Sequence, residues 1–124
     1  MEIFATFRLE ASHSLPHVPE LHRCRQLHGH SYRIEVHAKG PVPEETGWVV
    51  DFADVAAAFQ PILDQLDHHH LNDVPGLENP TCENIARWIW LRLKPSVPLL
   101  SKIIVHETPE SGCVYRGETM EIDD

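Results

Sequence analysis

Hydrophobic and polar positions change period several times along the chain, and each change marks an element. Over residues 3–14 they alternate. Ala5, Phe7, Leu9, Ala11 and His13 fall on one face, and Thr6, Arg8, Glu10 and Ser12 on the other. A period of two is that of a half-buried strand. Residues 28–38 alternate again, Tyr32, Ile34, Val36 and Ala38 against Arg33, Glu35 and His37, which predicts a second strand. Between them, Leu15 to Leu27 is polar, carries prolines and reads as a loop around Cys24.

Gly40, Pro41, Pro43 and Gly47 mark a turn region, and the period then lengthens. Val55, Phe59, Ile62 and Leu66 recur at helical spacing behind Asp51, a residue suited to an N-cap. Pro61 inside that pattern predicts a kink or a break. Residues 67–80 read as a polar connection. Thr81 then caps a second helix with Ile85, Trp88, Ile89 and Leu93 on one face, closed by Pro95 and Pro98. Residues 101–107 and 113–118 predict two more strands around a turn at Pro109-Glu110-Ser111-Gly112. The order β-β-α-α-β-β is that of an α+β domain with its helices on one sheet face. Four strands leave two open edges, which pairing between subunits would close.

Composition narrows the function classes. A length of 124 residues suits one domain, 1–124, and 42% hydrophobic with 23% charged residues supports a folded core. The chain shows neither a long apolar run nor a secretory start, so a cytoplasmic protein is expected. A net charge of −9 argues against nucleic acid and anionic membranes, but not against a small anionic substrate met by a local cationic cluster. Three cysteines are too few for a disulfide framework and read as free thiols. Ten histidines, internal and grouped, point to a metal.

His28 and His30 stand two apart with Gly29 between them, so both imidazoles share the face of Tyr32 and Ile34. His13 shares the face of Phe7 and Leu9. If the two strands pair as an antiparallel hairpin, the three converge. Three imidazoles with an open fourth position make a catalytic site suited to Zn2+. Cys24, between Arg23 and Arg25 and four residues before His28, is either a base or nucleophile or a fourth ligand. Asp67-His68 offers the parts of a proton relay. Glu107 ends a strand, where a carboxylate can accept two hydrogen bonds from a planar amidine-like edge such as that of a pterin.

In this order the pieces resemble the 6-pyruvoyl-tetrahydropterin synthase family over nearly the whole chain, Phe7 to Glu118. The resemblance rests on Ala11-Ser12-His13, Cys24-Arg-Gln-Leu-His28-Gly29-His30, Gly47-Trp48-Val49-Val50-Asp51-Phe52, Leu66-Asp67-His68-His69, Leu71-Asn72-Asp73, Glu78-Asn79-Pro80-Thr81, Val105-His106-Glu107-Thr108 and Cys113-Val114-Tyr115-Arg116-Gly117-Glu118. It implies Zn2+ on His13, His28 and His30, Cys24 as the catalytic thiol, Asp67 and His68 as its relay, and Glu107 as the pterin anchor. It implies the tunnelling fold: a four-stranded antiparallel sheet with two helices on one face, three subunits joined edge to edge in a barrel, and two barrels stacked in a homohexamer.

The spacing C-x3-HGH resembles the branch that forms 6-carboxy-5,6,7,8-tetrahydropterin in the queuosine pathway, whereas the pyruvoyl-forming enzymes carry C-x5-HGH. The reaction so implied takes 7,8-dihydroneopterin triphosphate and water to the carboxypterin, acetaldehyde and triphosphate. Arg23, Arg25 or Lys102 would hold the triphosphate. His70, where Tyr is common, and His106, where Lys is familiar, depart from the pattern. The rival readings are a pyruvoyl-forming synthase, which stops at triphosphate elimination, and a histidine-rich metal carrier without catalysis. A zinc protease is disfavoured by the lack of HExxH.

Overall fold

The computed structural model describes residues 1–118. Strand β1 (Glu2–His13) and strand β2 (His28–Lys39) pair antiparallel along their whole length. The register sets Leu9 against Tyr32, Ala11 against His30 and His13 against His28. Helix α1 (Phe52–Leu66) starts at Asp51, whose carboxylate accepts the Ala53 N–H at 2.9 Å. Helix α2 (Cys82–Leu93) starts at Thr81, whose hydroxyl accepts the Asn84 N–H at 3.2 Å. Each cap satisfies an N–H that the first turn leaves free.

Two further elements complete the sheet beside α2. Strands β4 (Leu100–Thr108) and β5 (Ser111–Tyr115) form the expected hairpin, and β4 pairs antiparallel with β2. Between the helices lies a strand that the periodicity did not predict. Strand β3 (His69–His70) pairs parallel with β1, Ala11 to His69 and Ser12 to His70. The sheet is therefore five-stranded, in the order β3-β1-β2-β4-β5, with β3 and β5 at its edges.

One apolar layer joins sheet and helices. Tyr32, Ile34 and Val36 of β2 and Ile103 and Val105 of β4 meet Val55, Phe59, Ile62 and Leu66 of α1 and Ile85, Ile89 and Leu93 of α2. Phe59 is fully buried and stacks on Phe7 with ring centroids 4.2 Å apart. Burying a side chain of this size stabilises the fold by about 1.5–3 kcal/mol. Leu71, Val74 and Leu77 join the same core, so the connection over 67–80 is polar in composition but anchored by its apolar positions.

Three local expectations need correction. Of the kink or break expected at Pro61, the break is absent, and helix α1 runs through it. Pro61 and Ala57 are both exposed, so the carbonyl that loses its helical partner faces water. Strand β5 ends at Tyr115 rather than at residue 118, because Gly117 takes a left-handed φ of 76° and lies so close to Trp90 that no Cβ would fit. His37 lies on the polar face as expected but is buried there, 3.0 Å from Glu35 and stacked on Phe4. Among the described residues, no helix is long and apolar enough to cross a membrane.

Candidate active site

The hairpin register brings the three histidines together at one end of the β1–β2 pair. One ring nitrogen from each of His13, His28 and His30 lies within 4.8 Å of the other two. Backbone carbonyls fix how two of the rings are protonated. His13 Nδ1 is 2.9 Å from the Pro80 carbonyl and His28 Nδ1 is 2.7 Å from the Gln26 carbonyl. A carbonyl only accepts, so each Nδ1 carries the proton and each neutral ring presents a bare lone pair at Nε2. Those two Nε2 atoms lie 3.0 Å apart. Two lone pairs at that distance repel unless a cation sits with them, so the donor set fits a metal ion.

Electrostatics around the trio point the same way. His13 is fully buried, and burial pushes its pKa below the ordinary histidine value. Burial also lowers His30. Both are thus biased toward the neutral form that a metal requires. The Tyr32 hydroxyl, 3.2 Å from His13 Nδ1, is held far above its usual pKa by burial and stays protonated.

Cys24 and Glu107 reach the same place from different elements. Cys24 sits in a 3-10 turn, Arg23–Arg25, inside the loop between β1 and β2. The loop is closed onto the strand end by the Leu15 N–H, which donates to the Cys24 carbonyl at 2.8 Å. Glu107 has the parity of Ile103 and Val105 on β4, so its carboxylate points inward. Glu107 Oε1 lies 3.5 Å from His13 Nε2 and 3.7 Å from His30 Nε2. His13, Cys24, His28, His30 and Glu107 line one cavity of about 390 Å³, of the size that small ligands occupy.

Asp67 and His68 form a separate unit. His68 Nδ1 lies 3.0 Å from Asp67 Oδ1, and Glu10 anchors both residues through its backbone. The Glu10 N–H donates to Asp67 Oδ1 at 2.9 Å, and the His68 N–H donates to the Glu10 carbonyl at 2.6 Å. The Glu10 N–H, then the His68 contact, hold the Asp67 carboxyl below the usual carboxylate range. His68 takes a left-handed φ of 58°, uncommon for a residue with a Cβ and found where the surroundings impose it. Its neighbours are committed elsewhere. His69 Nδ1 donates to the Asp67 carbonyl at 2.8 Å, and His70 Nδ1 meets the Ser12 hydroxyl at 3.0 Å. Only His68 of the three touches the Asp67 carboxylate. It lines a cavity with Glu10, Ser31 and His30, and Cys24 does not border that cavity.

The structure also shows site residues that periodicity missed. Pro80 and Gln26 act through their carbonyls, across distances that sequence spacing does not encode. Arg8 and Arg33 lie directly opposite each other across β1 and β2. Both line a cavity of about 580 Å³ with His30, His106 and Glu107, adjoining the histidine trio. Of the arginine and lysine candidates, Lys102 is committed to Glu2 at 3.2 Å, and Arg25 donates to the Val18 carbonyl. Arg23 borders the Cys24 cavity.

A two-layer α+β fold carrying an inward histidine trio beside a thiol and a carboxylate defines a class, and the comparisons name it. The family model described as 6-pyruvoyl tetrahydropterin synthase matches residues 2–118. The chain belongs to that family. It is 42% identical over 119 residues to the 6-carboxy-5,6,7,8-tetrahydropterin synthase of Synechocystis, covering 91% of each chain. It is 34% identical over 88 residues to the dihydroneopterin monophosphate aldolase of Pyrococcus furiosus, 71% of this chain and 74% of that one. The solved Caenorhabditis elegans 6-pyruvoyl tetrahydropterin synthase superposes with a TM-score of 0.87 at 25% identity, covering 95% and 96% of the two chains. The tunnelling fold, with a fifth short strand at its edge, is the fold of this chain.

Proposed function

We propose that the chain is a carbon–carbon lyase converting 7,8-dihydroneopterin triphosphate and water to 6-carboxy-5,6,7,8-tetrahydropterin, acetaldehyde and triphosphate, a step of queuosine synthesis in the cytoplasm. The observation that carries this reading is the convergence of three histidines, Cys24 and Glu107 on one cavity. The likeness to the Synechocystis relative supports the carboxypterin product, as does the short C-x3-HGH spacing. Residues 1–124 form a single domain in this reading, supported by one core and by the extent of the family match.

His13, His28 and His30 would hold Zn2+, which as a Lewis acid supplies polarisation of the substrate's side-chain hydroxyls. The remaining work falls to the chain itself. Glu107 binds the aminopyrimidinone edge of the pterin through two parallel hydrogen bonds. Cys24, bordering the same cavity, takes a proton from the substrate side chain as thiolate. His68, oriented by Asp67, moves a proton on the opposite side of the substrate. Arg8 and Arg33 supply positive charge on the adjoining cavity wall, where the triphosphate can lie. The ring is reduced by electrons from its own side chain, and carbon–carbon cleavage releases acetaldehyde.

Incubating the zinc-loaded protein with dihydroneopterin triphosphate and identifying the products tests the reading. Acetaldehyde and the carboxypterin in equal amounts are expected. Triphosphate release with a pyruvoyl product and no aldehyde would make it the pyruvoyl-forming synthase instead. Metal binding with no turnover would leave a metal carrier, in which Cys24 and Glu107 have no role.

A further inference from the structure

Two of the three cysteines meet outside the cavity that Cys24 lines. Cys82 is the first residue of α2, and Cys113 lies in β5 opposite Val105, facing the helix layer. Their sulfurs are 3.3 Å apart, and Cys82 Sγ is 3.4 Å from the Val105 carbonyl. Neither thiol borders the histidine cavity, and the reaction proposed above uses neither.

We propose that Cys82 and Cys113 are a peroxide-sensitive dithiol that closes to an intramolecular disulfide, tying the start of α2 to the edge strand β5. Closure needs the sulfurs to approach by about 1.3 Å from 3.3 Å, since a disulfide bond is ~2.05 Å long. A small oxidant can reach the pair. Cys113 is half-buried and lines a cavity of about 150 Å³ together with Glu83, Arg87 and Tyr115. Glu83 and Glu107 place negative charge near both thiols, which favours a neutral peroxide over an anionic disulfide as oxidant.

The contact also divides the labour between the sulfurs. Cys82 S–H donates to Cys113, and this bond holds Cys113 below the ordinary thiol value. The same bond, with burial, pushes Cys82 far up. Cys113 as thiolate attacks one peroxide oxygen, the O–O bond breaks, and the departing hydroxide takes up a proton to leave as water. The Cys82 thiol then attacks the sulfenic sulfur of Cys113. The S–O bond breaks, and the hydroxyl leaves with the Cys82 proton as a second water. Two thiols are oxidised, one peroxide is reduced, and two waters form. The ring so closed spans 31 positions of the chain.

The test titrates the full-length protein with hydrogen peroxide, alkylates the remaining thiols and maps the peptides by mass. At equimolar peroxide, the Cys82 and Cys113 thiols should disappear together as one internal cross-link. Dithiothreitol should restore both thiols, and the oxidised form should melt several degrees higher. Cys82→Ser should stop at a dimedone-reactive sulfenic acid on Cys113. The mapping of the unmodified sequence decides the matter even if that variant does not fold. Oxidation of the two thiols one at a time to separate adducts would overturn the proposal. So would a cross-link to Cys24 or between chains.

Discussion

At the residue scale, the site is defined by what each side chain has left to offer after its local partners are counted. The carbonyls of Pro80 and Gln26 occupy the Nδ1 atoms of His13 and His28, leaving Nε2 of both for a metal. His28→Ala removes one of three donors. Elemental analysis of the purified variant should show zinc falling well below one per chain; full occupancy would refute the ligand set. Glu107 lies 3.5 Å from His13 Nε2, so its carboxylate could act as a further ligand instead of a pterin anchor. Glu107→Gln separates the two roles. As an anchor, it would face a pterin N–H donor with an amide NH2. Leaving a buried donor unpaired costs ~1–3 kcal/mol, or roughly 5- to 150-fold in pterin affinity. Zinc content should be unchanged; parallel loss of zinc would make Glu107 a ligand. The HxH pair and its convergence with His13 were legible because strand geometry puts alternate residues on one face. The orienting carbonyls and the Arg8–Arg33 pair were not, because they depend on register between distant segments.

At the scale of elements, long alternation was readable and short or irregular pairing was not. Strands β1 and β2 each hold 12 residues, enough for period two to stand out. Strand β3 holds two, and its pairing follows from the turn that His68 makes against Glu10. The caps at Asp51 and Thr81 were legible because capping is local. The polar sheet face held a cross-strand network that periodicity does not show. Glu35 on β2 lies 3.0 Å from His37 Nε2 and 2.5 Å from His106 Nε2 on β4. Burial alone would raise the Glu35 pKa, but the hydrogen bonds from His106 and His37 outweigh it and hold it below the usual range. A carboxylate depressed in the folded state stabilises fully above its unfolded pKa of ~4.3, and that contribution is lost as pH falls through the lower folded value. Glu35→Gln should therefore lower the melting temperature at neutral pH and flatten its decline between about pH 5 and 3. An unchanged acid limb would show that the network does not couple Glu35 to folding.

At the scale of the whole molecule, one chain does not bring all the proposed chemistry to one cavity. Cys24 lines the histidine cavity, while His68 lines a neighbouring one at the β3 edge, and His30 borders both. Among the described residues the sheet meanwhile ends in two unpaired edge strands, β3 and β5, the kind of edge that proteins cover or pair. Pairing of copies at these edges, as the family resemblance implies, would set the Asp67-His68 unit, next to the edge strand β3, at the junction between subunits, and we propose that it serves a neighbour's Cys24 cavity there. Each active site would then draw its thiol and its relay from different chains. Cys24→Ala and His68→Ala should each abolish turnover when prepared separately, because every site then lacks one part. Mixed, unfolded and refolded together at equal amounts, they should recover roughly a quarter of the parental activity, since random assembly gives that share of sites an intact part from each neighbour. If thiol and relay instead act within one chain, every subunit carries one defect and the mixture stays inactive. Activity in the mixture, compared with each variant refolded alone, distinguishes the two arrangements.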